Sequence, residues 1–221
     1  MLNKKRVLSA AVAGVAGLLI ASSASASGVY FGGQLGYGLT HQPGFTNSNI
    51  NSLLAGSTSS SYTNSNTNSG LAGRIFGGYD VNESFGAELG YTRFHDTNAK
   101  FNGTATYTGI GPVNFNVRGT IKTYAVDLVG KGTMPLQNGF NVFGKLGVAY
   151  LNQTGNVSVS GTNVGSASEH KFLPTFGAGV GYEITKNVTT DVSWTRIQKV
   201  GNAKYLKSTD FFGLGLSYHF S

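Results

Sequence analysis

The sequence predicts an all-β fold, an eight-stranded antiparallel up-and-down transmembrane β-barrel. Three observations predict it. Apolar residues alternate with small or polar ones over segments of strand length, the connections alternate between short and long, and charges are scarce. Charged residues make up 11% of the chain, against roughly 25% in soluble globular proteins. Too few are present to cover an ordinary wet surface, whereas Gly (33), Phe (14) and Tyr (11) are abundant.

The first residues read as a leader. Lys4, Lys5 and Arg6 form a basic start, Val7 to Ile20 is apolar, and Ala24-Ser25-Ala26 is an Ala-x-Ala cleavage site. At roughly 14 residues the apolar run falls short of the ~20 needed for a spanning helix. Residues 1–26 are therefore expected to be a cleaved secretory signal peptide and 27–221 the barrel. Without the leader's three basic residues, the total of 16 Lys and Arg falls to 13 against nine acidic residues. Most of the basic excess thus belongs to targeting, and with no Lys/Arg cluster elsewhere a nucleic-acid partner is not expected. The absence of Cys excludes a disulfide framework, a thiolate metal site and a lipid-modified N-terminal cysteine.

No later apolar run reaches helix-spanning length, so attention turns to alternating strands of about 9–11 residues. In Val29 to Leu39, Val29, Phe31, Leu35, Tyr37 and Leu39 share one face, and Tyr30, Gly32, Gln34, Gly36 and Gly38 the other. The last segment shows the same alternation, with Phe212, Leu214, Leu216, Tyr218 and Phe220 on the apolar face. Six further strands are predicted near Leu71–Asp80, Phe85–His95, Thr120–Met134, Phe140–Asn152, Lys171–Glu183 and Val188–Ile197. Asp80 to Ser84, Pro135 to Gly139 and Ile184 to Asn187 are tight turns. By contrast 40–69, 96–119, 153–170 and 198–207 are long and polar, and Ser57 to Asn68 reads as a low-complexity solvated loop. Short periplasmic turns and long external loops characterise outer-membrane barrels, which places both termini in the periplasm.

The outward faces carry aromatics near both strand ends: Phe31 with Tyr37, Tyr79, Phe85 with Tyr91, Phe172 with Tyr182, and Phe212 with Phe220. At about 3.3 Å per residue and a tilt near 40°, Phe212 and Phe220 lie roughly 20 Å apart along the membrane normal, the spacing expected of two aromatic girdles. The inward parity collects Arg74, Glu88, Asp127, Lys131, Lys145, Glu183 and Asp191. An eight-stranded barrel has room inside only for side chains, so these charges are expected to pair and fill the lumen. A narrow ion-pair-gated pore is the alternative.

Several local patterns resemble a known family. Phe76-Gly77-Gly78-Tyr79 with Val81-Asn82, then Gly86-Ala87-Glu88-Leu89-Gly90-Tyr91, read as strand, turn and next strand. Leu173-Pro174 to Tyr182 with Ile184-Thr185, and the closing Gly215-Leu216-Ser217-Tyr218-His219-Phe220, complete the pattern. In combination they resemble the eight-stranded transmembrane domain of outer membrane protein A and its small-barrel relatives, over nearly all the mature chain except the long loops. The resemblance implies lumenal ion pairs linked to narrow channel gating, with Glu88 at a matching acidic and Lys131 at a matching basic position. The family's other acid and base are replaced by Gly181 and Asp191, so Asp191 needs a new partner such as Lys145 or Arg74. It also implies an assembly signal at Tyr218 and Phe220, read by the barrel-assembly machinery. The chain ends soon after this strand, so tethering to the cell wall by a following domain is not expected.

Other motifs carry less. His41, His95, His170 and His219 lack metal spacing, and neither metal nor cofactor is expected. Gly177 to Gly181 superficially resembles a nucleotide loop, but no helix or P-loop lysine follows. A lipid-modifying enzyme is a rival class, with Ser168, Glu169 and His170 as its nearest cluster, although consecutive residues of an extended segment point in alternating directions. The chain is thus expected to be a monomeric, non-enzymatic outer-membrane barrel contacting outer-membrane lipid and lipopolysaccharide. Its loops would meet a host or cell-surface ligand, as a surface antigen or as an adhesin proper, with Phe45, Tyr62, Phe101, Tyr107 and Phe115 as plausible adhesive contacts.

Overall fold

The computed structural model describes residues 28–40, 57–200 and 208–220. The expected leader, His41, Phe45, most of the 198–207 connection and Ser221 lie outside the described residues, as does the side chain of Phe115. The strands are β1 (Val29–Thr40), β2 (Ser59–Thr67), β3 (Ser69–Asp80), β4 (Phe85–Arg93), β5 (Thr97–Tyr107), β6 (Gly111–Pro135), β7 (Phe140–Val159), β8 (Thr162–Thr185), β9 (Val188–Ile197) and β10 (Thr209–His219). All pairings are antiparallel. The order β6-β4-β3-β1-β10-β9-β8-β7 returns to β6 through the β6–β7 pairing and closes an eight-stranded barrel.

At one end the connections are tight. Asn82 Oδ1 accepts from the backbone N–H of Ser84 and Phe85 at 2.9 and 2.8 Å. Asn138 and Gly139 turn at φ of 62° and 79°. Thr185 Oγ1 accepts from Asn187 and Val188 N–H at 3.3 and 3.1 Å. Short polar side chains here take the bonds that the sheet cannot supply. The described chain begins and ends at this same end, where Phe220 N–H donates to the Val29 carbonyl at 2.9 Å.

The other end departs from the expectation of loops. β6 starts at Gly111 rather than Thr120, β7 runs on to Val159, and β8 starts at Thr162. β5 adds to β6, and β2, read from sequence as a solvated loop, adds to β5. Beyond the barrel the order β2-β5-β6-β7-β8 therefore forms an external sheet of five strands. The β7–β8 hairpin turns at Ser160 and Gly161, with φ of 49° and 86°, both in the left-handed region that two-residue type I′ hairpins require. Sequence patterning misses these extensions because the outer connections are dominated by Ser, Thr and Asn, although apolar residues do alternate there, with Phe101, Ala105, Val113 and Val117 on one parity and Asn102, Thr104, Asn114 and Asn116 on the other. The backbone ladder continues with one face wet and the other packed on Phe101 and Ala105.

Close strand contact sets strict requirements, at Gly36 as at Gly147. A Cβ at Gly147 would meet the Leu128 carbonyl oxygen and come within 2.6 Å of Val129 Cα, backbone atoms that closure of the sheet holds in place. Gly147→Val is expected to cost about 1–3 kcal/mol. The compact band on an unboiled SDS gel should be depleted relative to wild type, and a full-intensity band would contradict this.

Candidate functional site: a charged lumen beneath an external sheet

The inward parity read from sequence brings most of the predicted charges together. Glu88 on β4 is the centre, receiving Arg74 Nη1 at 2.7 Å and Lys145 Nζ at 2.8 Å. The Tyr30 hydroxyl donates to its second oxygen at 3.1 Å. Arg74 also reaches across to Asp127, Nη2 to Oδ1 at 2.7 Å. All these side chains are buried; Glu88 is 1% exposed.

The remaining three charges behave differently from expectation. Among the described residues Lys131 makes no carboxylate contact of this kind; its Nζ lies over the Tyr30 and Phe143 rings, 4.9 and 5.3 Å from their centroids. Asp191 meets neither Lys145 nor Arg74. Its Oδ2 accepts from Gln34 Nε2 at 2.6 Å, and the same nitrogen donates to Ser193 Oγ at 3.0 Å. The reason is local: Gln34 and Asp191 flank Gly215 in adjacent registers, and a Cβ there would stand against both side chains. The missing side chain opens the short path, while Lys145 is already held by Glu88. Glu183 lies at the short-turn mouth and is exposed.

Two regions flank the network. Toward the short turns a cavity of about 630 Å³ opens, lined by Tyr30, Asp80, Glu88, Lys131 and His219 among others. Toward the external sheet lies an apolar layer of Phe94, Phe211, Leu151, Leu173 and Ile197, none more than 4% exposed. The inward bulk of these residues was not singled out from sequence. Their parity, shared with the lumenal charges, was the available signal.

On the outside, Phe31, Tyr37, Tyr79, Phe85, Tyr91, Phe172, Tyr182, Phe212 and Phe220 are all exposed and fall at two levels. Tyr124 and Tyr150 join the external level, where Tyr150 packs on Phe172 at 5.2 Å. Phe140 and Tyr218 join the short-turn level. Above the barrel the external sheet has an inward face built on Phe101 and Ala105. Phe101, expected as an adhesive contact, is instead 1% exposed, packed 5.3 Å from the Tyr62 ring. The outward face is a polar ladder: Thr104 to Asn114 and Asn116 to Asn102 at 2.6 Å, and Thr120 to Asn98 at 3.0 Å.

The proposed Ser168, Glu169 and His170 cluster is split by the pleat. In the β7–β8 register Ser168 and His170 take one parity and Glu169 the other. Ser168 Oγ is bound to Thr154 Oγ1 at 3.2 Å, and the His170 ring packs against Tyr150.

A family model described as the OmpA-like transmembrane domain matches residues 24–221. A Coxiella burnetii protein described as uncharacterized is 32% identical over 219 residues, covering 90% of this chain and 88% of its own length. Outer membrane protein A of Klebsiella aerogenes is 26% identical over 221 residues, covering 98% of this chain and 55% of the relative. The chain thus spans about half the length of the outer membrane protein A relatives it matches. Neisserial surface protein A superposes with a TM-score of 0.54 at 15% identity, covering 89% of this chain and 98% of that one. Ail, the attachment invasion locus protein of Yersinia pestis, gives 0.50 at 14%, covering 87% and 97%. At these identities the two structures show a shared fold.

Removing the shared carboxylate should be far more damaging than neutralising the satellite one. Glu88→Ala leaves Lys145 buried without its carboxylate and is expected to cost about 3–5 kcal/mol. Asp191→Asn retains an acceptor for Gln34 and should cost ~1 kcal/mol. Urea unfolding of the refolded barrel compares them; equal losses would contradict Glu88 as the centre of the network.

Proposed function

The chain belongs to the family of OmpA-like transmembrane domains and resides in the outer membrane, and we propose that it serves there as a non-enzymatic structural barrel presenting an external sheet to host or neighbouring cell surfaces. The observation that carries this reading is the continuity of β6 and β8, which run 25 and 24 residues, where about 9–11 suffice to span the bilayer. The surplus goes into the external sheet, held by its own backbone ladder. Exposed Tyr62 and the polar outward face supply contacts; Phe101 serves the sheet's own packing.

The filled lumen favours a scaffold over a conduit. Ion pairs occupy its middle and bulky apolar side chains its external half, and a hydrophobic constriction opposes the passage of ions. On this reading the two levels of exposed aromatics rest at the lipid interfaces. Outer-membrane lipid and lipopolysaccharide surround them, and Tyr218 and Phe220 present the assembly signal to the barrel-assembly machinery. Closure without a free barrel edge suits a monomer. The separation of Ser168 and His170 from Glu169 supports a non-enzymatic role.

Replacing the β5–β6 hairpin beyond Ile121 with a short turn should abolish the barrel-dependent binding of bacteria to host cells while heat-modifiability persists. Unchanged binding would remove the contact reading. In planar bilayers, wild type and Glu88→Gln are expected to show no discrete conductance, with openings only when Phe94 and Phe211 are both changed to Ala. Steady conductance from wild type would favour the narrow pore.

A further inference from the structure

The outward face of the external sheet carries an unneutralised basic ladder. On β6, Arg118 and Lys122 follow Asn114 and Asn116 on that face, and Lys100 of β5 stands directly opposite Arg118 in the register. All three side chains are exposed. Among the described residues none of the three pairs with a carboxylate; the nearby Asp96 is taken by Arg93 at 2.7 Å. At the same parity, the described positions of β2, β5, the upper part of β6, β7 and β8 are Ser, Thr, Asn, Pro or His, with no Asp or Glu.

Two physical points turn this face into a site. Like charges directly opposite each other on neighbouring strands destabilise a sheet, and nothing in the described structure relieves the Lys100–Arg118 pair; an anion shared between them would. Height selects the anion. Tyr124 belongs to the external aromatic level, and Lys122 lies two residues above it on the same face, about 5 Å higher at a strand tilt near 40°. Arg118 and Lys100 lie six residues above, roughly 15 Å. Headgroup regions occupy only about 5–8 Å per leaflet, so an ordinary phospholipid reaches Lys122 but not the upper pair.

We infer that Lys122, Arg118 and Lys100 form a lateral binding site for a phosphorylated glycolipid of the lipopolysaccharide class, with Lys122 at its membrane-proximal phosphate and Arg118 with Lys100 on a phosphate of its saccharide core. The Asn and Thr side chains between these rungs provide donors and acceptors for sugar hydroxyls. The site rests on the proposed placement of the external sheet outside the cell, and it assigns that sheet a function in lateral lipid contact.

The test uses the full mature chain refolded in nanodiscs and three probes: lipopolysaccharide with a phosphorylated core, the same material with its core phosphates removed, and lipid A alone. Wild type should hold the first about tenfold more tightly than the second. Lys100→Gln with Arg118→Gln should remove that difference, as expected for charge-assisted contacts to one phosphate, without altering lipid A binding. Lys122→Gln should weaken all three. Equal affinity of wild type and the double variant for the phosphorylated core would overturn the site, as would indifference of wild type to core phosphate. Protease accessibility of the β5–β6 hairpin on intact cells separates the two failures: protection there would instead overturn the external placement itself.

Discussion

Backbone polar groups within hydrocarbon have no water to bond, so each must be paired inside the sheet, and the β6–β7 pairing that closes the barrel is the constraint on which everything else depends. Closure divides every strand position between two environments. Outward positions become lipid contacts and inward positions share a lumen whose width eight strands fix. Large polar side chains fit inside only where neighbours give up volume. A Cβ at Gly90 would collide with the Arg74 guanidinium, and one at Gly78 with the Tyr30 ring. The glycine content that first marked the sequence is in part the space in which the ionic network is built.

The interior holds charges of both signs. Arg74, Lys131 and Lys145 share it with Glu88, Asp127 and Asp191, and Asp80 and Glu183 line its short-turn end. Buried charges are tolerated when paired and hydrogen-bonded, and Glu88 meets the condition with two cations and a tyrosine hydroxyl. Lys131 meets it by lying over aromatic faces rather than beside an acid, an arrangement that draws on the ring quadrupole. Asp191 meets it through an amide and stands apart from the central cluster.

Most of the barrel was legible because lipid enforces a strict two-residue period. β9 matches its sequence-predicted bounds, Val188–Ile197, and β1 differs by a single residue. Inward parity named Arg74, Glu88, Asp127 and Lys145, yet parity says nothing about reach across the lumen, so the partners of Asp191 and Lys131 were assigned wrongly or not at all. The external sheet was illegible for a different reason. Ser, Thr and Asn dominate its strands and obscure the alternation present in β5 and β6, and the Ser/Thr/Asn run of β2 carries the same composition as a disordered loop. Phe101 shows the cost of that ambiguity: an aromatic in a polar segment reads as displayed when it is the anchor of a small core.

The apolar layer of Phe94, Phe211, Leu151, Leu173 and Ile197 also gives the molecule a direction. The charged interior has its roomy mouth at the short-turn end, where the cavity of about 630 Å³ opens, and a dry stopper at the other. On the proposed orientation, with the short turns in the periplasm, protons and small ions reach Glu88 and its neighbours from that side. So oriented, the barrel is a well sunk from the inside of the envelope: its ionic interior communicates with a compartment the cell maintains, and its outer half shields that interior from the medium the cell happens to meet.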